Sequence, residues 1–279
     1  MRSVSALTAA CIGAVLLSGC AGQGAQTSRA IESLAQVDQE NMAELMLAAA
    51  DPREAVDYFT QAAEANPDSL LHQRGLARSL ARSGSPERAV SVWQRVIAHP
   101  DSIPDDRVEL AEAHIRLSNW DAAEAALNQV PPTHETFQRY RLEAMVADAR
   151  RQWARADSFY EIAAGLTPRP AGVLNNWGYS KLSRGAHRDA ERLFAEALQH
   201  DSSLFTAKNN LVLARAAQRR YELPVISMTQ TERAELLHTM ALGAIRQGDT
   251  GAGRALLREA VDTHPQHFEA AAVALAALQ

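Results

Sequence analysis

The chain has 279 residues, a formal net charge of −5 and 5% aromatic residues. Its positive side is nearly all arginine, with Lys181 and Lys208 the only lysines, so it lacks the basic excess of a nucleic-acid binder. Both cysteines, Cys11 and Cys20, lie at the N-terminus, within or just after the one long apolar run.

That run reads as a processing signal. Arg2 is a positive n-region, and Ala6 to Leu17 is an apolar h-region too short to span a membrane comfortably. It closes on Leu17-Ser18-Gly19-Cys20, which resembles the lipobox of bacterial lipoproteins. The resemblance implies a signal peptide over residues 1–19 and loss of Cys11 with it. It also implies that Cys20 becomes the mature N-terminus, carrying a diacylglyceryl group and an N-linked acyl chain. One chain binds a bilayer only marginally at ~0.8 kcal/mol per buried CH₂, whereas two or more anchor stably. An ordinary secretory signal with a cysteine at its cleavage site is the alternative. Ala21, not Asp, follows Cys20; the lipoprotein sorting rule then implies the periplasmic face of an outer membrane. The mature chain would carry a charge of −6, Arg2 having left, and would keep no free thiol. Residues 20–35 read as the lipidated N-terminus and a short Gly/Gln/Ser/Ala linker. Some 15 extended residues reach at most ~50 Å, so the folded part of the chain stays near the membrane.

From about residue 36 a small residue returns at a spacing near 34: Ala43, Ala77, Ala111, Ala144, Gly178 and, after a gap, Ala241. Each is followed twelve positions on by another: Ala55, Ala89, Ala123, Ala156, Ala190 and Gly253. With units starting at Gln36, Leu70, Pro104, Phe137, Ala171, Phe205 and Ala234, these are positions 8 and 20. Position 24 is large (Phe59, Trp93, Leu127, Tyr160, Phe194, Leu257), and position 27 is Ala or Val. Two antiparallel helices approach closely only where side chains are small, and the bulky group then fills the gap toward the next pair. Gly84, Gly185 and Gly248 all fall at position 15, where a helix ends in the left-handed conformation. Asp51-Pro52-Arg53-Glu54 reads as a capping box with proline opening the second helix, and Ser85-Pro86 repeats the idea. Pro67, Pro168 and Pro265 close units. This is the tetratricopeptide repeat pattern, resembled over about residues 36–270. It implies an all-α solenoid over 36–279, a right-handed superhelix of antiparallel helix pairs in about seven units.

The sixth unit departs from the pattern. Its first helix reads well from Phe205 to Arg220, but Pro224 stands where the small residue belongs. Proline inside a helix costs ~3 kcal/mol, so 221–230 reads as an irregular crossing. Thr229-Gln230-Thr231-Glu232 then caps the next helix, and the stretch from His267 reads as a terminal capping helix. The C-terminal third carries Leu174-Asn175-Asn176-Trp177-Gly178-Tyr179-Ser180 and Asn209-Asn210-Leu211. The broken unit, Arg233 to His238 and Arg246-Gln247-Gly248-Asp249 complete it. That order behind a lipobox resembles the TadD-like lipoproteins of the tight adherence (Flp pilus) secretion system. The resemblance implies a non-enzymatic scaffold that supports assembly of a pilus-export machine, its secretin above all. Trp177 stands where relatives more often have leucine and reads as a tolerated packing change. Another lipidated adaptor, such as a type IV pilotin or a scaffold for cell-wall hydrolases, is the second reading.

First helices of such repeats line the binding face. Asn175, Asn176, Asn209 and Asn210 occupy positions 5 and 6, with Tyr179 and Leu213 at position 9 and His238 at position 5 of the last unit. Amides both donate to and accept from a peptide backbone without choosing its sequence. They are therefore candidates to hold a partner segment, or else to bond the neighbouring helix. Trp93, Trp120 and Trp153 fall at packing positions and read as core; the arginine-rich stretch from Arg139 to Arg155, with Glu143, Asp148 and Asp157, reads as a solvated face. No His-Glu-x-x-His, Gly-x-Ser-x-Gly or phosphate-binding glycine loop is present. His264 and His267 lack a third ligand at suitable spacing. The expectation is a protein-binding scaffold with no cofactor, metal, nucleic acid or small-molecule substrate; an unrecognised enzyme is the remaining class.

Overall fold

The computed structural model describes residues 37–278. The expected leader (1–19), Cys20 and the linker to residue 35 lie outside the described residues. Two compact units divide between Ser102 and Ile103. The first holds the helical residues 37–49 (α1), Pro52–Ala65 (α2), Leu70–Arg82 (α3) and Pro86–Ala98 (α4). Ala43, Ala55, Ala77 and Ala89 are buried where helices meet. Phe59 presses its ring against Gly75, leaving no room for a Cβ there. Asp51 caps α2 by accepting from the Arg53 N–H at 2.9 Å. The hydroxyl of Ser85 makes no such bond, and Pro86 alone marks the start of α4.

The second unit contains Pro104–Arg116 (α5), Trp120–Leu127 (α6), Phe137–Ala149 (α7), Trp153–Gly165 (α8), Ala171–Ser183 (α9) and His187–His200 (α10). It continues with Phe205–Ala217 (α11), Gln230–Arg246 (α12), Thr250–Thr263 (α13) and Glu269–Ala276 (α14). Positions 8 and 20 are buried in every repeat, Val212 and Pro224 included. The bulky residues at position 24 are all buried to within 3% of full.

The turn between paired helices is more regular than the sequence shows. Position 15 adopts a positive φ in six successive repeats: +79° at Gly84, +81° at Gly185 and Gly248, but also +55° at Ser118, +58° at Arg151 and +59° at Arg219. Each is followed by a residue whose N–H bonds back five positions, as Asn119 to His114, Gln152 to Ala147 and Arg220 to Arg215. That bond satisfies a carbonyl that the helix end would otherwise leave open, and it fixes the turn even where a side chain makes the conformation costly.

Between α11 and α12 the chain is non-helical. Pro224 is buried at the position of the small residue, Val225 is fully exposed, and Ile226 turns its side chain one way while Leu223 and Met228 turn theirs another. Ile226 packs on a core built from α9, α10 and α11; Tyr221, Leu223 and Met228 pack on a core shared by α11, α12 and α13. An extended strip thus covers two cores where a second helix would have covered them. Thr229 and Glu232 then form the reciprocal capping box of α12, at 3.1 and 2.8 Å.

Candidate functional site

The amides of the first helices form a ladder. Asn210 on α11 donates to the Asn175 carbonyl oxygen on α9 at 3.0 Å, and Thr239 on α12 donates to Asn209 on α11 at 2.9 Å. In both rungs, position 6 of one repeat donates to position 5 of the repeat before. Asn176 is the next position 6 in the series, but the residue it would meet is Arg141, which cannot accept and instead donates to Glu112 at 3.0 Å. The ladder therefore stops at Asn176.

Where it stops, the surface opens into a recess of about 390 Å³. Asn175, Asn176, Tyr179 and Asn210 line it, together with Trp120, Met145, Asp148, Trp153 and Tyr160. Tyr179 is 59% exposed. The structure thus brings four of the candidate residues to one place. Asn209 sits one rung along, Leu213 is half-buried on α11 away from the recess, and His238 packs against Phe268 with ring centres 5.4 Å apart. Burial holds His238 below the usual histidine range.

Asp148 is the residue that sequence reasoning missed. It lies at the inner wall of the recess, with Ser180 donating to one oxygen at 2.7 Å and Tyr160 to the other at 3.0 Å. Burial pushes its carboxyl above the ordinary range, although both hydroxyl bonds pull the other way. Burial, and then the Asp148 charge, push the Tyr160 phenol well up, so it stays a donor. The expected solvated face is in fact a polar network. Asp157 accepts from the Trp177 indole N–H at 2.6 Å, from Lys181 at 2.9 Å, and from Arg184. Burial alone would raise Asp157; the bonds from Lys181, Trp177 and Arg184 outweigh it and hold the carboxyl low. Arg139 and Glu143 pair at 2.8 Å with both side chains 12% exposed. Trp177 is therefore an anchor for Asp157 as well as a packing residue. Of the other tryptophans, Trp93 is core, whereas Trp120 and Trp153 are half-buried and open onto the recess.

His264 and His267 do not converge: the first bonds the backbone of Gln266 and the second pairs with Glu269 at 2.7 Å. Among the described residues no cluster of metal-ligating side chains occurs, and no helix is long and apolar enough to cross a membrane.

Residues 41–106 match the family model described as tetratricopeptide repeat. The chain is similar to one in the crystal structure of the APC/C hetero-tetramer Cut9-Hcn1. The TM-score is 0.61 at 12% identity, over 85% of this chain and 48% of that one. The fold is that of a tetratricopeptide-repeat protein. A tetratricopeptide repeat protein from Parabacteroides merdae matches with a TM-score of 0.57 at 11% identity, covering 86% of this chain and 97% of that one. MamA from Desulfovibrio magneticus matches with a TM-score of 0.50 at 18% identity, over 60% and 94%. The chain spans about half the length of the Cut9-Hcn1 chain. No curated protein matches it significantly. Tetratricopeptide repeats are a fold of protein–protein interaction scaffolds, and none of these likenesses is to a catalytic family.

Proposed function

We propose that this protein is a lipid-anchored scaffold at the periplasmic face of the outer membrane that binds a component of a tight adherence (Flp) pilus-export machine, its secretin in the first instance. The anchor follows from the lipobox resemblance at Cys20, and the system from the order of motifs in the C-terminal third. The observation that carries the binding role is the recess at the end of the amide ladder. It joins an exposed tyrosine, half-buried tryptophans and a free amide on successive repeats. Aromatic rings with a polar handle supply contact area at low entropic cost, which is how protein interfaces are anchored.

The test is crosslinking in intact cells followed by purification of the detergent-solubilised full-length protein. Recovery of the secretin or another export component is expected, with loss of that product when Tyr179 is changed to Glu. Recovery of cell-wall hydrolases or a type IV pilus secretin instead would overturn the assignment to this system.

A further inference from the structure

Asp148 is a carboxylate with no cation on it. Its two oxygens each accept one hydroxyl bond, leaving acceptor capacity on both. Among the described residues it forms no ion pair: Arg184, whose charge reaches it, is paired with Asp157 and lies over the Trp153 ring at 5.4 Å, and Arg141 is paired with Glu112. Around it stand Trp120, Trp153 and Tyr179, with Met145 and Ala149 supplying apolar wall. A carboxylate half-buried among rings with no ion pair of its own is costly to the free protein. The same arrangement attracts a cation twice over, through the carboxylate and through the ring quadrupoles.

We propose that this recess receives a lysine or arginine side chain from the partner protein, its cation seated on Asp148 beside the rings of Trp120 and Tyr179. The inference rests on the scaffold reading above and adds the chemistry that selects the partner. The recess suits a side chain whose apolar stem packs against Met145 and Ala149 while the head reaches the carboxylate. Asn176, left free at the end of the ladder, stands beside it to pair with the backbone of the entering segment. An acidic segment is rejected, because it would bring a further negative charge against the Asp148 carboxylate.

The probes are short, otherwise uncharged peptides that differ only in one central residue: arginine, lysine, citrulline or glutamate. They are titrated against the full-length lipoprotein in detergent, with tryptophan emission as the readout. The arginine and lysine peptides should bind at least ~10-fold more tightly than citrulline, the neutral isostere of arginine, as expected for a charge-assisted bond to a half-buried carboxylate. Asp148→Asn should abolish that preference while keeping the bond to Ser180 and an unchanged circular dichroism spectrum. Tyr179→Ser, at an exposed position, should weaken both arginine and lysine peptides. Equal or undetectable binding of the arginine and citrulline peptides overturns the inference, as does a preference that survives Asp148→Asn. Failure here leaves the scaffold reading intact if crosslinking still recovers the export component. Failure of the crosslinking leaves the recess chemistry standing if the peptides are still discriminated by charge.

Discussion

Two glycines on α9 offer a controlled test of how tightly the repeats are packed. A Cβ built on Gly178 would meet three ring atoms of Phe194 at 2.6, 2.8 and 3.0 Å, whereas a Cβ on Gly172 meets nothing within 4 Å. Phe194 is fully buried within a core of Leu174, Ala190, Leu193 and Leu211, so its ring has nowhere to swing. Overpacking of this kind costs typically ~1–3 kcal/mol, and an overlap against a fixed ring belongs at the upper end. Replacing glycine by alanine in a helix returns up to ~1 kcal/mol of propensity. Gly178→Ala should therefore destabilise by about 1–2 kcal/mol, and Gly172→Ala should stabilise by about 0.5 kcal/mol, being in the first turn. Phe194→Leu costs stability by itself but clears the clash, so in that background Gly178→Ala should turn neutral or favourable, a coupling of about 1–2 kcal/mol. The assay is urea unfolding of the four combinations and Gly172→Ala by far-ultraviolet circular dichroism, comparing midpoints at constant slope. If Gly178→Ala stabilises as much as Gly172→Ala with Phe194 in place, the packing argument is wrong.

Three further outcomes are expected. Arg151→Gly should raise stability by roughly 0.5–1 kcal/mol, because its φ of +58° suits glycine, while Gly185→Ala at +81° should lower it by about 1 kcal/mol; thermal melts compare the two. Lys208 is 3% exposed and pairs with the more exposed Glu232 at 2.9 Å. Glu232→Ala, which leaves the buried ammonium only the more distant Asp201 charge and removes a cap, should cost about 2–3 kcal/mol, and Lys208→Met clearly less. Asp148 and Asp157 should respond to pH in opposite senses. The Asp148 carboxyl sits above 3.8 in the fold, so its contribution is present in acid and lost as pH rises through the folded value; relative to wild type, Asp148→Asn should gain stability over that rise. Asp157 sits below 3.8, so its contribution is present above the unfolded value and lost as pH falls through the folded one. Asp157→Asn should be destabilised at neutral pH and match wild type in strong acid, read by melts across the range.

The repeat was legible because its packing rule is written in residue size. Alanine and glycine at positions 8 and 20, and a large residue at 24, leave few other ways to pair helices, and all are buried. The left-handed turn was legible only at the three glycines. At Ser118, Arg151 and Arg219 the same conformation is imposed by the hydrogen-bonded helix end, and the side chain gives no sign of it. The amides were visible as a repeat, but their rungs depend on which position faces which across two helices. Position 5 of the fourth repeat being Arg141, and not an acceptor, is the signal that frees Asn176. Asp148 and Asp157 looked like charges on a solvated face because acids alternate with arginines along the chain. Their partners Ser180, Trp177, Lys181 and Arg184 all come from the next repeat, some 20 to 32 residues away, and spacing within one helix carries no trace of that.

The strip that replaces a second helix leaves α11 as a wall between two cores. Its Ala207, Leu211 and Ala214 belong to the core on one side, and its Val212 and Ala216 to the core on the other. In a linear array each repeat is stabilised by its neighbours, so cooperativity passes along the array only as strongly as its thinnest interface permits. Here it passes through α11 and the irregular strip, with no second helix paired to α11. Opening from the C-terminal end should therefore halt at α11, with α12 to α14 exchanging their amide hydrogens as a separate foldon while α7 to α10 stay protected. A proteolytic cut after Arg220 would then release the last repeat and its cap while sparing the recess, so the chain would keep a partner's grip after losing its tail.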